Sequence, residues 1–559
     1  MTTASCRIRW KTAAALLVVA GSAAVGQARS DDSEALRQRI EYLLTAGGPK
    51  VEGVPIAATV LIAELYQRQG FTPIWSRSEK VRSLYDQVMR AAEHGLTPAD
   101  YHAAQLAARL RNAAAPGTPT SRADTEILCT DALARLVIDL RFGKLDPTDL
   151  EPTWNFSREI EAEDPVQTFS EILEQSDLGS ELDRLAPQLD FYRWLQQALA
   201  RYRGILAGGG WPTVPAGAVL KAGDDSPRVA SLRARLAVTG DLRTSQPGAL
   251  SAFDDEVARA VVRFQARHGL DPDGRVGPRT IEELNVPVEA RIDQIRASLE
   301  RVRWVFRDIR GDFMLVDIAG YHAYLVERDE PIWSTRIQVG KPFHATPVFK
   351  ADMRYLVLNP TWTIPPGILR GETLPAIRED PEYLAKNNIS VIGANGAVID
   401  PASIDWAATE NRGFPYQLRQ EPGPKNALGQ VKFMFPNPYM IYLHDTPSKG
   451  IFARAERASS HGCIRVEDPL TLADLLLEDD PTWDRARIDR VVASGVTTTV
   501  SLPEPLTVML VYWTARADAE GTVYFQRDLY GRDARLIEHL DEPYRASPPR
   551  GTGAVLGGR

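Results

Sequence analysis

The sequence predicts a multidomain α+β protein, with helices in its first part and a β-rich domain in its second. Between residues 33 and 205, apolar side chains recur at spacings of three and four, which is the pattern of amphipathic helices. After Gly311 the pattern changes to short runs rich in Val, Ile and Tyr that are interrupted by Gly and Pro, as in strands. The 559 residues are 44% hydrophobic and 25% charged, an ordinary globular composition that suits about two to four domains.

Residues 1–28 have the pattern of a secretory signal peptide. Arg7, Arg9 and Lys11 precede an apolar run over residues 13–25, and small residues follow it. A run of this length is well short of the roughly 20 residues that span a bilayer, so we expect a cleaved leader and export. A membrane tether is the alternative, and it requires that the leader stays uncleaved.

The first helical region, residues 33–205, is expected to form one domain without catalytic residues. Cys129 occupies one apolar position of a predicted helix, and we interpret it as buried and inert. Gly208-Gly209-Gly210, with Pro212 and Pro215 beyond them, indicates a linker over residues 206–224.

Residues 225–285 are predicted to form a compact unit of three helices. The helices centre on Val229, on Val257 and on the segment that Pro278 opens, because Pro is favoured at the first helical position. Residues 286–310 follow as a helical connector with one apolar face.

The β-rich domain is predicted over residues 311–535. Its predicted strands are 313–318, 321–327, 334–339, 354–358, 432–435, 440–443, 496–502, 507–514 and 522–527. Residues 366–432 break this pattern with charged, helix-prone sequence, so we interpret them as an insertion folded over the site, with a helix expected over residues 374–386. A helix is also expected over residues 470–477. The Gly-rich tail, residues 548–559, is expected to be disordered.

Cys463 is the candidate nucleophile. It follows Ser460, His461 and Gly462, and His444 lies nineteen residues upstream. A cysteine attacks as its thiolate, which needs a nearby base or positive field because the pKa of an unperturbed thiol is about 8.5. Gly462 leaves room for a substrate carbonyl to approach backbone N–H groups that receive an oxyanion.

The spacing of these residues resembles a known signature. His444, fifteen residues and then Ser460-His461-Gly462-Cys463 match the YkuD-type L,D-transpeptidases position by position. Thr346-Pro347 and the segment that ends at Trp362 resemble further signatures near the active site of that family. Residues 264–280 resemble a peptidoglycan-binding domain, with a helical spacer that binds no ligand as the alternative. The order of segments is similar to that of the larger Gram-negative members, which implies a helical scaffold domain, a capping insertion and a periplasmic location.

The resemblance implies acyl transfer between peptidoglycan tetrapeptide stems. Cys463 would attack the carbonyl of the third stem residue and expel the terminal D-Ala, and an amine of a second stem would then take the acyl group, giving a 3→3 cross-link. His444 is the expected base, since an imidazole pKa near 6.5 suits both directions of proton transfer. Asp445 is a doubtful partner for it, because adjacent residues on an extended chain point apart, so we expect a backbone carbonyl to orient the imidazole.

The remaining candidate site residues are assigned supporting or binding roles. Ser460 is expected to position a neighbouring group, and His461 either supports catalysis or only packs. Arg465 suits a stem carboxylate through its planar guanidinium, the alternative being a local ion pair with Asp468. Tyr442 and Trp362 are the other expected substrate-binding residues.

Several other functions are disfavoured. The net charge of −8 argues against nucleic acid as the main partner. We expect neither a cofactor nor a metal ion, because the His-Glu-x-x-His pattern is absent and the eight histidines are scattered. No lysine has a serine three residues before it, as a serine D,D-transpeptidase requires. A papain-type peptidase would place its cysteine before its histidine.

Three alternatives stay open at this stage. The same thiol could serve an L,D-carboxypeptidase or endopeptidase that trims stems, with water as the acceptor. The chain could be a wall-binding protein without activity. Cys463 could be structural, paired with Cys129 in a disulfide.

Overall fold

The structure is a computed structural model that describes residues 31–112, 117–159, 164–243, 250–406 and 414–545. The expected signal peptide, residues 1–28, and the expected disordered tail, residues 548–559, lie outside the described residues. No helix within the described part of the chain is long and apolar enough to cross a membrane.

The N-terminal region is a helical scaffold, as predicted. Its helices are α1 Asp31–Thr45, α2 Thr59–Arg68, α3 Ser78–Arg90, α4 Ala103–Arg111, α5 Pro119–Phe142, α6 Pro165–Glu174, α7 Leu178–Leu185 and α8 Asp190–Ala207, and a small hairpin joins β1 Lys50–Val51 to β2 Val54–Pro55. The long helix α5 is its centre, with most of its side chains buried. Thr118 caps α5 by accepting a hydrogen bond from the Ser121 N–H, and Pro119 occupies the first turn.

A second unit contains the three predicted helices, α9 Pro227–Val238, α10 Asp255–Arg267 and α11 Pro278–Leu284. The side chains of Ser226 and Asp254 cap α9 and α10, and Pro stands in the first turn of α9 and α11. The unit has a hydrophobic core of its own, which includes Leu232, Val261 and Phe264.

The connector is the single helix α12, Val288–Val305, and it is buried on more than the one face that the sequence predicts. Arg303 forms an ion pair with Glu300, and the side chains of both are fully buried. Arg303 also donates hydrogen bonds to the His94 carbonyl at 2.7 Å and the Tyr192 hydroxyl at 2.8 Å, both in the scaffold. Because its polar side chains find partners inside the protein, α12 sits within one continuous core shared by the scaffold and the β-rich domain.

The β-rich domain is built on a nine-stranded sheet. Its strands are β3 Phe313–Asp317, β4 His322–Glu327, β5 Glu330–Gly340, β6 Phe349–Leu358, β11 Val431–Met434, β12 Leu443–His444, β13 Ala458–Ser460, β14 Ile464–Val466 and β15 Thr498–Val511. The strand order is β13-β5-β14-β12-β11-β6-β15-β3-β4, and β5 also pairs with β4, so the sheet closes on itself. Outside it lie a short hairpin and three helices: β16 Ala515–Ala517, β17 Val523–Phe525, α16 Pro469–Leu476, α17 Arg485–Ser494 and α18 Arg532–Asp541.

Most predicted strands differ from the observed ones at their ends, and β13, β14 and β16 have no counterpart among the predicted strands. The two strands expected over residues 496–502 and 507–514 are one strand, β15, whose pairing with β6 shifts register between Ser501 and Leu506. Pro503 and Pro505 lie in this interval, where a bulge removes the need for ladder hydrogen bonds that Pro cannot donate. Helices α17 and α18 have no counterpart among the predicted elements.

Residues 366–406 and 414–430 belong to a separate small α/β unit, which we call the cap, and the expected insertion ends before Val431 and Lys432, which lie in β11. Its described helical turns are α13 Pro366–Ile368, a π-helical turn Leu369–Thr373, α14 Leu374–Glu379 and α15 Tyr383–Lys386. Its strands β8 Ile389–Ile392, β9 Val398–Ile399 and β10 Gln417–Gln420 make a four-stranded sheet with β7 Trp362–Thr363 in the order β7-β10-β8-β9. The cap has its own core, which includes Leu374, Val391 and Leu418.

Two expectations for the cap are wrong. The single helix expected over residues 374–386 is interrupted at Asp380, whose φ of −129° and ψ of 101° are extended. The reason is Pro381, because a residue that precedes proline is disfavoured in the helical region. The cap sheet has no counterpart in the prediction, since strands of two to four residues are too short to show an alternating pattern.

Candidate active site

Two short parallel strands bring the candidate residues together. Strand β12 pairs with β14 so that His444 lies beside Arg465, and the Ile464 N–H donates to the Tyr442 carbonyl at 3.1 Å. Side chains alternate along a strand, so Tyr442 and His444 share one face of the sheet with Cys463 and Arg465. The intervening Leu443 and Ile464 are fully buried on the other face.

The turn before Cys463 is held by side chains on both sides. The Ser460 hydroxyl donates to the Cys463 carbonyl at 2.6 Å and accepts from the Gly462 N–H at 3.1 Å. Gly462 has a φ of +116°, which side chains disfavour, and its carbonyl accepts from the Thr346 hydroxyl at 2.8 Å. Ser460 and Thr346 therefore fix the backbone that presents the thiol.

The backbone N–H of Cys463 is free to bind an oxyanion. Among the described residues it donates to no acceptor, whereas the N–H of Gly462 and that of Ile464 are both used within the protein. A free donor beside the nucleophile is what the tetrahedral intermediate of acyl transfer needs.

The Cys463 thiol is half-buried and lies among polar groups of the neighbouring strand. Its S–H donates to the Met440 carbonyl at 3.7 Å. The N–H and the hydroxyl of Tyr442 both hydrogen-bond to its sulfur, and the Trp362 side chain hydrogen-bonds to that hydroxyl. Burial raises the pKa of the Cys463 thiol, and the Tyr442 bonds and the Arg465 charge offset this only in part. Tyr442 thus contacts the candidate nucleophile itself, and Trp362 reaches the site through Tyr442.

The His444 imidazole is oriented by a backbone carbonyl. Its Nδ1 donates to the Asp445 carbonyl, which leaves Nε2 as the nitrogen that can accept a proton. The Asp445 carboxylate turns away and pairs with Lys449, while also accepting from the Gln430 N–H at 2.9 Å. As expected from the extended chain, Asp445 is not a triad acid.

The expectation of a His444 pKa near 6.5 is wrong. Burial, with the nearby Arg465 charge as the next cause, lowers the pKa of His444 to about 3. At neutral pH the imidazole is uncharged, and the raised pKa of Cys463 keeps its thiol protonated. The two groups therefore rest as a neutral pair.

Arg465 pairs with no carboxylate of the described residues. Its Nη1 donates to Gln338 Oε1 at 3.2 Å, and its buried Nε has no hydrogen-bond partner. No carboxylate in the described part of the chain forms an ion pair with it, so the alternative of a pair with Asp468 is wrong. The guanidinium remains available for an external anion.

Lys432 is a site residue that the sequence did not single out. Strand β11 pairs with β12 so that Lys432 lies beside His444, on the opposite side from Arg465. Its ammonium lies 5.8 Å from the centroid of the Tyr442 ring and forms no ion pair with a described carboxylate. A lysine in an alternating strand is normally read as a solvent-facing residue, and only the strand pairing reveals its neighbour.

His461 faces the cap instead of the thiol. Its Nε2 lies 2.8 Å from Glu372 Oε1 in the π-helical turn, and its ring lies 4.8 Å from that of His344. These contacts agree with the alternative that His461 packs and hydrogen-bonds. They also make it a direct link between the cap and the loop that carries Cys463.

Both described cysteines are free thiols, so the disulfide alternative for Cys463 is wrong. Cys129 is fully buried in α5, and burial raises its pKa well above the usual range.

Comparisons with known proteins identify three regions of the chain. Residues 311–491 match the family described as "L,D-transpeptidase catalytic domain" (YkuD), residues 225–284 match a "Putative peptidoglycan binding domain", and residues 60–199 match a "Scaffold domain". A curated relative from Haemophilus influenzae, described as a "Putative L,D-transpeptidase", is 37% identical over 249 residues, which are 44% of this chain and 50% of the relative. The chain thus spans about half the length of the curated relative that it matches.

Solved structures give much weaker likenesses. An L,D-transpeptidase from Xylanimonas cellulosilytica shares 15% identity, covering 53% of this chain and 99% of its own, with a TM-score of 0.16. L,D-transpeptidase 1 from Mycobacterium tuberculosis shares 10% identity, covering 36% and 61%, with a TM-score of 0.14. At these scores the likenesses carry no weight for the fold. The sequence families carry the comparison: residues 311–491 are similar to the L,D-transpeptidase catalytic domain of the YkuD family, and they follow regions similar to a scaffold domain and to a putative peptidoglycan-binding domain.

Proposed function

We propose that this protein is an L,D-transpeptidase that joins peptidoglycan stem peptides outside the cytoplasm. The observation that carries the proposal is the placement of Cys463 and His444 on one face of paired strands, beside a free backbone N–H. The catalytic and peptidoglycan-binding families both favour peptidoglycan as the substrate. Export by residues 1–28 and a periplasmic location belong to the same proposal, with a membrane tether only if that leader stays uncleaved.

The first half-reaction forms a thioester. His444 Nε2 takes the thiol proton as the Cys463 sulfur attacks the carbonyl carbon of the third residue of a donor tetrapeptide stem. The oxyanion accepts a hydrogen bond from the Cys463 N–H. When the tetrahedral intermediate collapses, the C–N bond to the terminal D-Ala breaks, and His444 returns the proton to the leaving amine.

The second half-reaction transfers the acyl group. An amine of the acceptor stem attacks the thioester carbonyl while His444 Nε2 takes its proton. The C–S bond then breaks and the sulfur recovers the proton as a thiol. The product is a 3→3 cross-link, and the free enzyme is restored.

Arg465 and Lys432 suit the carboxylates of the stems and link binding to activation. The positive charge of Arg465 is one cause of the low His444 pKa. A stem carboxylate bound to Arg465 would offset this charge and raise the basicity of the imidazole next to it. The base therefore becomes stronger when the donor is in place.

The acceptor decides between transpeptidation and its closest rival. With water as the acceptor the same thioester would give an L,D-carboxypeptidase or endopeptidase. The cap favours an amine, because it contacts the catalytic loop through His461 and Glu372 and can restrict water around the thioester.

Mass spectrometry of muropeptides after incubation with purified protein tests the proposal. We expect 3→3 dimers from tetrapeptide stems, and a thioester adduct on Cys463 in the intact protein. Cys463→Ala keeps the backbone donors and should form neither product, and His444→Ala should slow adduct formation by about 10²–10⁴-fold. Tripeptides without dimers would favour the hydrolytic rival, and an unmodified wall with folded protein would favour a binding protein without activity.

A further inference from the structure

The three-helix domain carries an open groove on its surface. The groove has a volume of about 550 Å³, and part of its floor is formed by Ala258, Val262 and Gly274. Four cationic side chains surround this floor. They are Lys221, Arg259, Arg263 and Arg275. Asp273 is the acidic member of the lining.

No cation of this groove is neutralised by a carboxylate of the described residues. Within the described part of the chain, the side chains of Lys221, Arg259 and Arg275 form no ion pair and no hydrogen bond. Arg263 donates from Nε and Nη2 to the Asp241 carbonyl, at 3.0 and 2.6 Å, so its charge is oriented but not neutralised by a carboxylate.

The carboxylate in the lining is already engaged. Asp273 Oδ1 accepts from the Gln265 side chain at 2.8 Å and from the Arg275 N–H at 2.9 Å. It serves to hold the turn that presents Arg275. The groove thus keeps an excess of positive charge although the whole chain has a net charge of −8.

The chemistry of the lining points to carboxylates and not to sugars. No described lining residue is aromatic, so the groove offers no ring on which the face of a sugar could stack. Guanidinium groups bind carboxylates through paired, charge-assisted hydrogen bonds. In peptidoglycan, free carboxylates belong to the stem peptides.

The groove stays accessible when the domain is docked on the catalytic domain. Docking uses the C-terminal end of α10, where Arg267 donates to the Val523 carbonyl at 3.1 Å and the ring of the following His268 stacks 5.6 Å from that of Phe525. Arg259 and Val262 lie on the exposed side of the same helix.

We propose that this groove, lined by Lys221, Arg259, Arg263 and Arg275, binds the free carboxylates of peptidoglycan stem peptides. It would hold the wall by the same peptides that the catalytic domain joins. The inference rests on the proposed function for the choice of peptidoglycan, and it names the part of the polymer that the domain recognises.

The test is pelleting of full-length protein with purified sacculi, in a Cys463→Ala background so that turnover does not alter the wall. Arg259→Gln with Arg275→Gln should weaken binding by about tenfold or more, and added salt should weaken the binding of the unaltered groove. The matched control is Arg77→Gln with Arg82→Gln, which removes the same charge from exposed arginines at α3 of the scaffold. The control protein should bind like its parent.

Chemical variation of the wall identifies the recognised group. Sacculi with amidated stem carboxylates should bind the parent as weakly as the groove variant does, and a chitin tetrasaccharide should not compete. Unchanged pelleting of the groove variant, or equal loss in the control, would overturn the proposal. If the groove variant lost binding to anionic lipid vesicles while its sacculus binding stayed unchanged, the groove would be assigned to a membrane surface instead. Because no turnover is involved, failure of transpeptidation would leave this result intact.

Discussion

At the scale of single residues, burial favours the uncharged form of both Cys463 and His444. It disfavours the thiolate of Cys463, whose pKa it raises, and the imidazolium of His444, whose pKa it lowers to about 3. A preformed ion pair of thiolate and imidazolium is therefore not the resting state. The neutral pair protects the thiol until a substrate supplies an electrophile and a carboxylate.

The pH dependence of thiol alkylation tests this resting state. A depressed His444 pKa means that the imidazole stays neutral as pH falls from 8 to 5, so it creates no thiolate in that range. The rate of reaction of Cys463 with iodoacetamide should rise with pH through one ionisation above the ordinary thiol value of about 8.5, without an inflection near 6 to 7. A plateau of reactivity at acidic pH would show a preformed ion pair.

Tyr442→Phe should shift the same alkylation profile further toward alkaline pH. The hydroxyl donates to the sulfur and so stabilises the thiolate, and its removal leaves burial less opposed. Phe keeps an aromatic ring beside His444. In the parent the centroids of the Tyr442 and His444 rings are 5.6 Å apart. An unchanged or lower apparent pKa would assign Tyr442 to the substrate and not to the thiol.

Replacing Lys432 by Gln should weaken the use of donor stems while leaving alkylation by a neutral reagent close to that of the parent. Lys432 has no described carboxylate partner and flanks His444, so its charge is available to an anionic stem. KM for the donor should rise about tenfold, the value of one charge-assisted contact. Equal effects on a donor whose carboxylates are amidated would show that Lys432 acts on the protein alone.

At this scale the sequence predicted which two candidate side chains lie together better than it predicted their surroundings. The spacing of His444 and Cys463 was sufficient to place both in one site. The neighbour of each side chain across the sheet depends on strand register, which for two-residue strands such as β12 leaves no pattern in the sequence. For this reason Lys432 was missed and Tyr442 was assigned to the substrate and not to the sulfur.

At the scale of elements, side chains of the cap and of its sheet contact residues around Cys463. Glu372 reaches His461, and Trp362, on a strand of the cap sheet, reaches Tyr442. The cap has its own core, so it can move as a body while these two contacts form or break.

Glu372→Gln should loosen the cap without unfolding it. The change removes the charge that pairs with His461 when that imidazole is protonated, and both groups are exposed enough that stability should change by less than about 1 kcal/mol. Hydrogen exchange should become faster in the described cap segments 366–406 and 414–430, while the amides of β11 and β12 stay unchanged. Protection equal to the parent would show that this contact does not hold the cap.

The predicted and observed elements also show which helices and strands a sequence pattern can predict. The long helices of the scaffold and the capped helices α9 and α10 were predicted because period and caps agree over more than ten residues. Helix α18, Arg532–Asp541, was missed because the residue before it is Gly531, its first N–H groups are capped from the more distant Asp528, and it carries few apolar positions. The cap sheet was missed because its strands are shorter than one clear alternation.

At the scale of the whole molecule, the three-helix domain is docked and not merely tethered. The buried Arg291 of α12 pairs with Glu283, and its guanidinium lies 4.7 Å from the centroid of the Phe525 ring. Deletion of residues 225–285 would leave this charge without its partner and uncover Phe525. Point changes in the exposed groove are therefore the cleaner test of wall binding.

The scaffold and the catalytic domain should unfold together, because α12 lies in a core that both share. Arg303→Ala leaves the Glu300 carboxylate fully buried without its ion partner, which should cost about 3–5 kcal/mol. Removing the exposed pair Arg485 and Asp489 should cost at most about 1 kcal/mol.

Cys129, fully buried in α5, reports on the scaffold in a Cys463→Ala background, since a thiol reagent reaches it only on unfolding. In urea, labelling of Cys129 and loss of the circular-dichroism signal of the β-strands should have the same midpoint concentration. Arg303→Ala should lower both midpoints equally. Separate midpoints would show that the scaffold folds independently and that its packing against the catalytic domain does not couple their unfolding.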